Sequence, residues 1–240
     1  MKKNISSSHM PMLALAAGLS GAFARIILYR LGTDGQGLLI RNHPLHILCW
    51  ILSAATVVCL WTAVKKSPEP AAASNSYDPV FPLSLACAWG IGTCVLEFPL
   101  PQDRLALIRM ILGVLAAFAL IWSGYRQWRR KPCGVYSFAL VCVFFAAHLV
   151  CCYRVWSGNP QLADYTWQLF AVVCLILASY QKCALQAGLG KEKAHQLLCL
   201  LAGFFCMMAA PGSGCSAMYL TCGLYFLCTA ALPRKQEDAL

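Results

Sequence analysis

Charge is what this chain has least of. Only 12% of its 240 residues are Asp, Glu, Lys or Arg, and just nine are acidic. Soluble domains carry about 25% charged residues, so an ordinary water-soluble domain is excluded. Despite 15 cysteines there is no Cys-x-x-Cys, and there is no His-x-x-x-His. Those absences remove the common signatures of zinc ribbons, dithiol redox proteins and zinc proteases. No Gly-Lys-Ser/Thr ending follows a glycine-rich stretch, which excludes a P-loop. No aspartate falls inside an apolar run and no carboxylates are paired, so the chain is read as not an enzyme. Neither an internal repeat nor a heptad pattern is visible.

Apolar runs are what the chain does have, at 60% hydrophobic residues. Eight segments stand out, at 11–30, 44–64, 80–98, 105–123, 134–153, 165–184, 195–211 and 215–232. A run of about 20 apolar residues spans a bilayer as a helix. The expected fold is therefore all-α: a polytopic integral membrane protein, a bundle of eight transmembrane helices in one domain covering 1–240. Pro211-Gly212-Ser213-Gly214 marks a tight turn between the last two segments. No connection is long enough for a soluble domain. The longest, 65–79, reads as a polar loop.

The net charge of +10 is distributed unevenly. Eight spans put Lys2, Lys3, Lys65, Lys66, Arg126, Arg129, Arg130, Lys131, Lys182, Lys191, Lys193, Arg234 and Lys235 on one side. Arg25, Arg30, Arg41, Arg104, Arg109 and Arg154 fall on the other, or just inside it, a ratio of 13 to 6. Basic residues in short loops mark the cytoplasmic face. Both termini are therefore expected in the cytoplasm, with the chain in the plasma membrane and in contact with lipid. Nucleic acid is rejected as a partner, because the basic residues lie between apolar runs. Lys2-Lys3, an apolar stretch and Ala22-Phe23-Ala24 also fit a cleaved signal peptide, which would leave seven spans. The apolar residues continuing through Tyr29 favour a retained helix.

Ionisable groups inside spans are costly and become the default site candidates. They are Arg25, Glu97, Arg109 and His148. At about 1.5 Å per residue, all four fall in the outer half of the membrane. The arginines offer planar donors to a carboxylate or phosphate, His148 offers a proton switch, and Glu97 balances charge. The plainer alternative is that the arginines snorkel to headgroups or pair with Glu97, and that His148 hydrogen-bonds to a neighbouring helix. The first outer loop, with Asp34, Arg41, Asn42, His43 and nearby His46, is either a cap or a simple turn.

Cys87/Cys94, Cys199/Cys206 and Cys215/Cys222 each recur at seven residues, on one helix face. Buried cysteine packs as a small apolar residue, so no metal or other cofactor is assigned. Cys151-Cys152 lies nearer the outer interface. Gly18, Gly21, Gly90, Gly92, Gly203 and Gly223 suit close helix contacts, and Trp89–Gly92 is a candidate for a local helix break. Gly18-Leu19-Ser20-Gly21 resembles the Gly-x-Ser-Gly of the intramembrane rhomboid proteases. That resemblance implies Ser20 as nucleophile with His148 as base. The four residues lie in the first span, without the accompanying asparagine or second histidine, and read better as a packing face.

Two functions remain. One is binding or transport of a small, anionic solute through an outward-facing site formed by Arg25, Glu97, Arg109 and His148. The other is a non-transporting accessory, assembly or sensor protein. It would dock a membrane or cytoplasmic protein partner, chiefly through Arg126-Gln-Trp-Arg-Arg-Lys131.

Overall fold

Every apolar run becomes a helix, the conformation that satisfies its backbone polar groups within the segment itself. The computed structural model describes residues 9–32, 44–67, 80–97, 104–129, 131, 134–157 and 165–231. Among these residues the helices are α1 (His9–Leu31), α2 (Pro44–Lys66), α3 (Val80–Glu97), α4 (Arg104–Trp128), α5 (Val135–Trp156), α6 (Thr166–Gln186), α7 (Glu192–Ala209) and α8 (Ser216–Ala231). Each expected segment has its helix. The largest difference is at α4, which continues past Ser123 to Trp128, with Gly124 packed directly on Ser84 of α3. Pro11, Pro44 and Pro82 all lie in first turns, where the missing N–H costs nothing.

Five helices, α1, α2, α4, α5 and α6, are long and apolar enough to cross a membrane. The others are shorter, with 18 residues in α3, 18 in α7 and 16 in α8.

Helices α3 to α8 pack as a closed ring in chain order, with α8 returning to α3. α1 and α2 buttress this ring on α7. Side-chain register fixes the directions. Cys87 faces Cys222 and Cys94 faces Cys215, so α3 and α8 are antiparallel. Gly18 meets Met207 and Gly21 meets Met208, so α1 runs parallel to α7. Cys142 reaches the Ile176 carbonyl and Cys183 the Val135 carbonyl, so α5 and α6 are antiparallel. All odd-numbered helices therefore finish at one end of the bundle, beside the α7–α8 turn. We call this the hairpin end.

The ring is filled with side chains. Ile91, Phe144, Leu175, Phe204, Cys206 and Met218 belong to one fully buried apolar cluster. α7 packs on α1, α2, α6 and α8 and buries eleven residues, as expected of a helix that is apolar all round from Leu197 onward. Glycine permits the closest approaches. A Cβ on Gly90 would run into Thr221 of α8, and one on Gly203 into Leu227. Among the described helical glycines Gly92 is the exception, with nothing within 4 Å of its Cβ position. α3 is continuous through Trp89–Gly92, so no local break forms there. The hairpin turn uses Gly212 at φ 77, a left-handed conformation that costs other residues about 1–2 kcal/mol.

Candidate functional site

Arg25 lies on the buried face of α1 and is only 2% exposed. Its guanidinium donates to the main-chain carbonyl of Met208 and to the Tyr29 hydroxyl, and it sits 5.1 Å from the Tyr29 ring centroid. Tyr29 in turn packs on Gly212 of the hairpin. Met208 is in the last turn of α7. The last four carbonyls of a helix lack intrahelical donors and carry the negative end of its dipole. Arg25 brings both a donor and a positive charge to that end. Met208 is tied from another side as well, by Ser53 of α2 donating to its sulfur at 3.3 Å.

Arg109 repeats the relationship on another pair of helices. It projects from α4, is 2% exposed, and donates from Nη2 to the Cys94 carbonyl at 3.1 Å. Cys94 is in the last turn of α3. The two arginines thus have the same structural role. α3 and α7 are both 18 residues long, and each ends against a cation supplied by an adjacent helix.

His148 of α5 is fully buried and stacks on Phe144, with ring centroids 5.9 Å apart. Its Nδ1 lies 3.9 Å from Cys94 Sγ. Its Nε2 lies 3.4 Å from Cys152 Sγ, one turn further along α5. Cys94 Sγ is 3.0 Å from Cys215 Sγ. Arg109 is close enough for its charge to act on Cys94, Cys152, Cys215 and His148. Glu97 lies one turn beyond Cys94, at the exposed end of α3. Arg109, His148 and, at the margin, Glu97 therefore share one setting. Arg25 has its own partners on α1 and α7.

The two settings flank the same hairpin. Between α1 and that hairpin lies an open cavity of about 480 Å³, lined by Leu19, Ala22, Tyr29, Arg30, Met207 and Ser216 among others. Its wall is mostly apolar, with Tyr29, Arg30 and Ser216 as polar groups. Ser216, which lines the cavity, is exposed, whereas the preceding Cys215 is buried in the thiol cluster.

Several other candidates are placed as well. Ser20 is exposed and donates its hydroxyl to Ala17 of its own helix, whereas His148 is inside the ring. Asp34, Arg41, Asn42 and His43 lie outside the described residues. His46 meets Trp50 edge-on at 6.5 Å. Cys151 is half-buried, near the Leu105 carbonyl, while Cys152 turns inward to His148.

Sequence reasoning missed Cys94, Cys215 and Met208 as site residues. The seven-residue spacing of Cys87/Cys94 and Cys215/Cys222 carried the signal for the thiols. It placed each pair on one face, and the antiparallel packing of α3 on α8 brings those faces together.

No protein-family model, curated protein or solved structure matches the chain.

Proposed function

We propose that this chain is an eight-span integral membrane protein of the plasma membrane, with both termini cytoplasmic, that binds or transports a small anionic amphiphile in the outer half of its bundle. The hairpin end is then the outer end, opposite the 13 basic residues of the cytoplasmic side. The observation that carries this reading is the cavity beside Tyr29 and Arg30. Its volume is in the range of small-molecule sites, and its pattern of apolar wall with few polar groups is typical of them. Arg30 meets the anionic end of the solute. Arg25 holds the Tyr29 hydroxyl in position. Arg109 and His148 are buried inside the ring on the other side of the hairpin and do not line this cavity; there they hold the end of α3 and the thiol cluster against which the hairpin rests.

The test is thermal unfolding of the purified protein in nanodiscs with decanoate, decyl phosphate and uncharged decanol. Both anions should raise Tm and decanol should not. Ala22→Trp, which fills the cavity, and Arg30→Gln should each remove the effect. Equal responses to all three probes, or unchanged responses in both variants, would defeat the reading.

A second reading has its own support. Both buried arginines donate to main-chain carbonyls, which is a structural use. At the opposite end, Arg126 closes α4, Arg129 lies against Tyr125 with Nε 3.1 Å from its hydroxyl, and Lys131 is exposed. A basic edge of this kind suits an accessory protein docking a cytoplasmic partner or anionic lipid. A stoichiometric partner that survives detergent extraction and is lost when these three residues are neutralised supports it.

A further inference from the structure

We infer that Cys94, His148 and Cys215 form a site for a single thiophilic d10 cation, Zn²⁺ or Cu⁺, inside the ring at the hairpin end. This inference stands on ligand geometry alone and does not depend on the solute reading.

Two thiols and an imidazole, all buried, have their ligand atoms within 4.8 Å of one another. They come from α3, from α5 and from the turn residue that directly precedes α8, so a bound ion would tie two helices of the ring to the α7–α8 hairpin. Zinc bonds of about 2.3 Å to sulfur and about 2.0–2.1 Å to nitrogen place tetrahedral ligand atoms roughly 3.5–3.7 Å apart. The Cys94–Cys215 separation of 3.0 Å must open a little, and the Cys94–Nδ1 separation of 3.9 Å must close a little. Cys215 Sγ and the His148 nitrogen, which lie within 4.8 Å of each other, complete the triangle. Thiolate and imidazole are the donors that Zn²⁺ and Cu⁺ prefer.

The surroundings fit as well. A histidine that ligates through one nitrogen normally donates its other N–H to a fixed partner. With Nδ1 towards the thiols, Nε2 faces Cys152 Sγ at 3.4 Å. Arg109 pins the Cys94 main chain, and its charge offsets that of the thiolates. Binding releases the two thiol protons to solvent, with no change of oxidation state.

The bundle contains its own controls. Cys87 and Cys222 approach to 3.3 Å on the same two helices but belong to no three-ligand group among the described residues. His195 and Cys199 repeat the i, i+4 spacing of His148 and Cys152, with Nε2 3.5 Å from Sγ. Thr229 is the group donating to Cys199 there, and it is a poor ligand for a soft ion.

The experiment uses the full chain without a histidine tag, purified reduced and metal-free in detergent. One arm titrates Co²⁺ as a zinc surrogate, with Zn²⁺ displacement. The other measures Cu⁺ uptake against a chromophoric Cu⁺ chelator. Support is a stoichiometric thiolate-to-cobalt charge-transfer band bleached by Zn²⁺, which identifies the divalent ion, or Cu⁺ uptake without such a band, which identifies the monovalent one. Either signal should vanish in Cys94→Ser and His148→Gln, persist in Cys87→Ser, and weaken about 10–100-fold in affinity in Cys152→Ser. X-ray absorption on the wild type keeps the test open if variants misfold. It should find sulfur at about 2.3 Å from the metal. The inference is overturned if neither ion binds, if the bound ion has no sulfur ligand, if the Cys94→Ser/Cys215→Ser double variant binds as wild type does, or if the protein is isolated from cells with Cys94 and Cys215 as a disulfide.

Discussion

The guanidinium of Arg109 lies 3.1 Å from the Cys94 carbonyl and donates to it, so a side chain of α4 closes the last turn of α3. Arg109→Met keeps most of the volume and removes the donor and charge. It should destabilise the protein by about 1.5–3 kcal/mol, the range for a hydrogen bond to a charged group. Arg109→Lys should recover part of that loss. Equilibrium unfolding in mixed detergent micelles reads both, and an Arg109→Met variant as stable as the wild type would count against the closure.

Arg25 makes the same kind of bond to Met208 and adds Tyr29. Tyr29→Phe leaves the Met208 bond in place and removes the hydroxyl, so it should cost about 0.5–1.5 kcal/mol. Arg25→Met should cost more, because it removes both partners. A reversed order in the same unfolding assay would mean that Tyr29, and not the end of α7, is what Arg25 serves.

Two glycines should behave oppositely. Gly203→Ala puts a methyl group into Leu227 at the α7–α8 contact, and overpacking of this kind costs about 1–3 kcal/mol. Gly92→Ala meets nothing within 4 Å and should stabilise α3 by up to about 1 kcal/mol through helix propensity. Thermal melts of the two variants read the sign directly.

These contrasts also show what could be read without coordinates. Helix positions were legible because long apolar runs admit few other structures. The hairpin was legible because Pro211 and Gly212 cannot continue a helix. Counting along the runs also grouped Arg25, Arg109 and His148, and in the bundle all three lie towards the hairpin end. What the arginines touch did not. Donation to Met208 and Cys94 depends on which helices are neighbours, and α4 beside α3 or α1 beside α7 is a property of packing. For the same reason the cysteines were read as filler, since a seven-residue repeat names a face and not the face opposite. Glu97 was grouped with the buried charges, yet one turn beyond Cys94 places it at the exposed end of α3.

Topology follows from the same frame. Alkaline phosphatase fused after Ser157 should be active, because that end of α5 lies at the hairpin end. Fusions after Lys131 or Gly190 should be inactive, because those connections lie at the basic end. Activity at either basic connection would remove the assignment of the cytoplasmic side.

Buried cations, and not lipid-facing ones, hold the hairpin end of this bundle. A cryo-EM structure of the chain in a lipid nanodisc tests it most directly. The Arg109 guanidinium should lie inside the ring on the Cys94 carbonyl, with Arg25 on Met208, both at the end opposite the basic connections. Guanidinium density in the headgroup layer, with the ends of α3 and α7 closed by other groups, would contradict it.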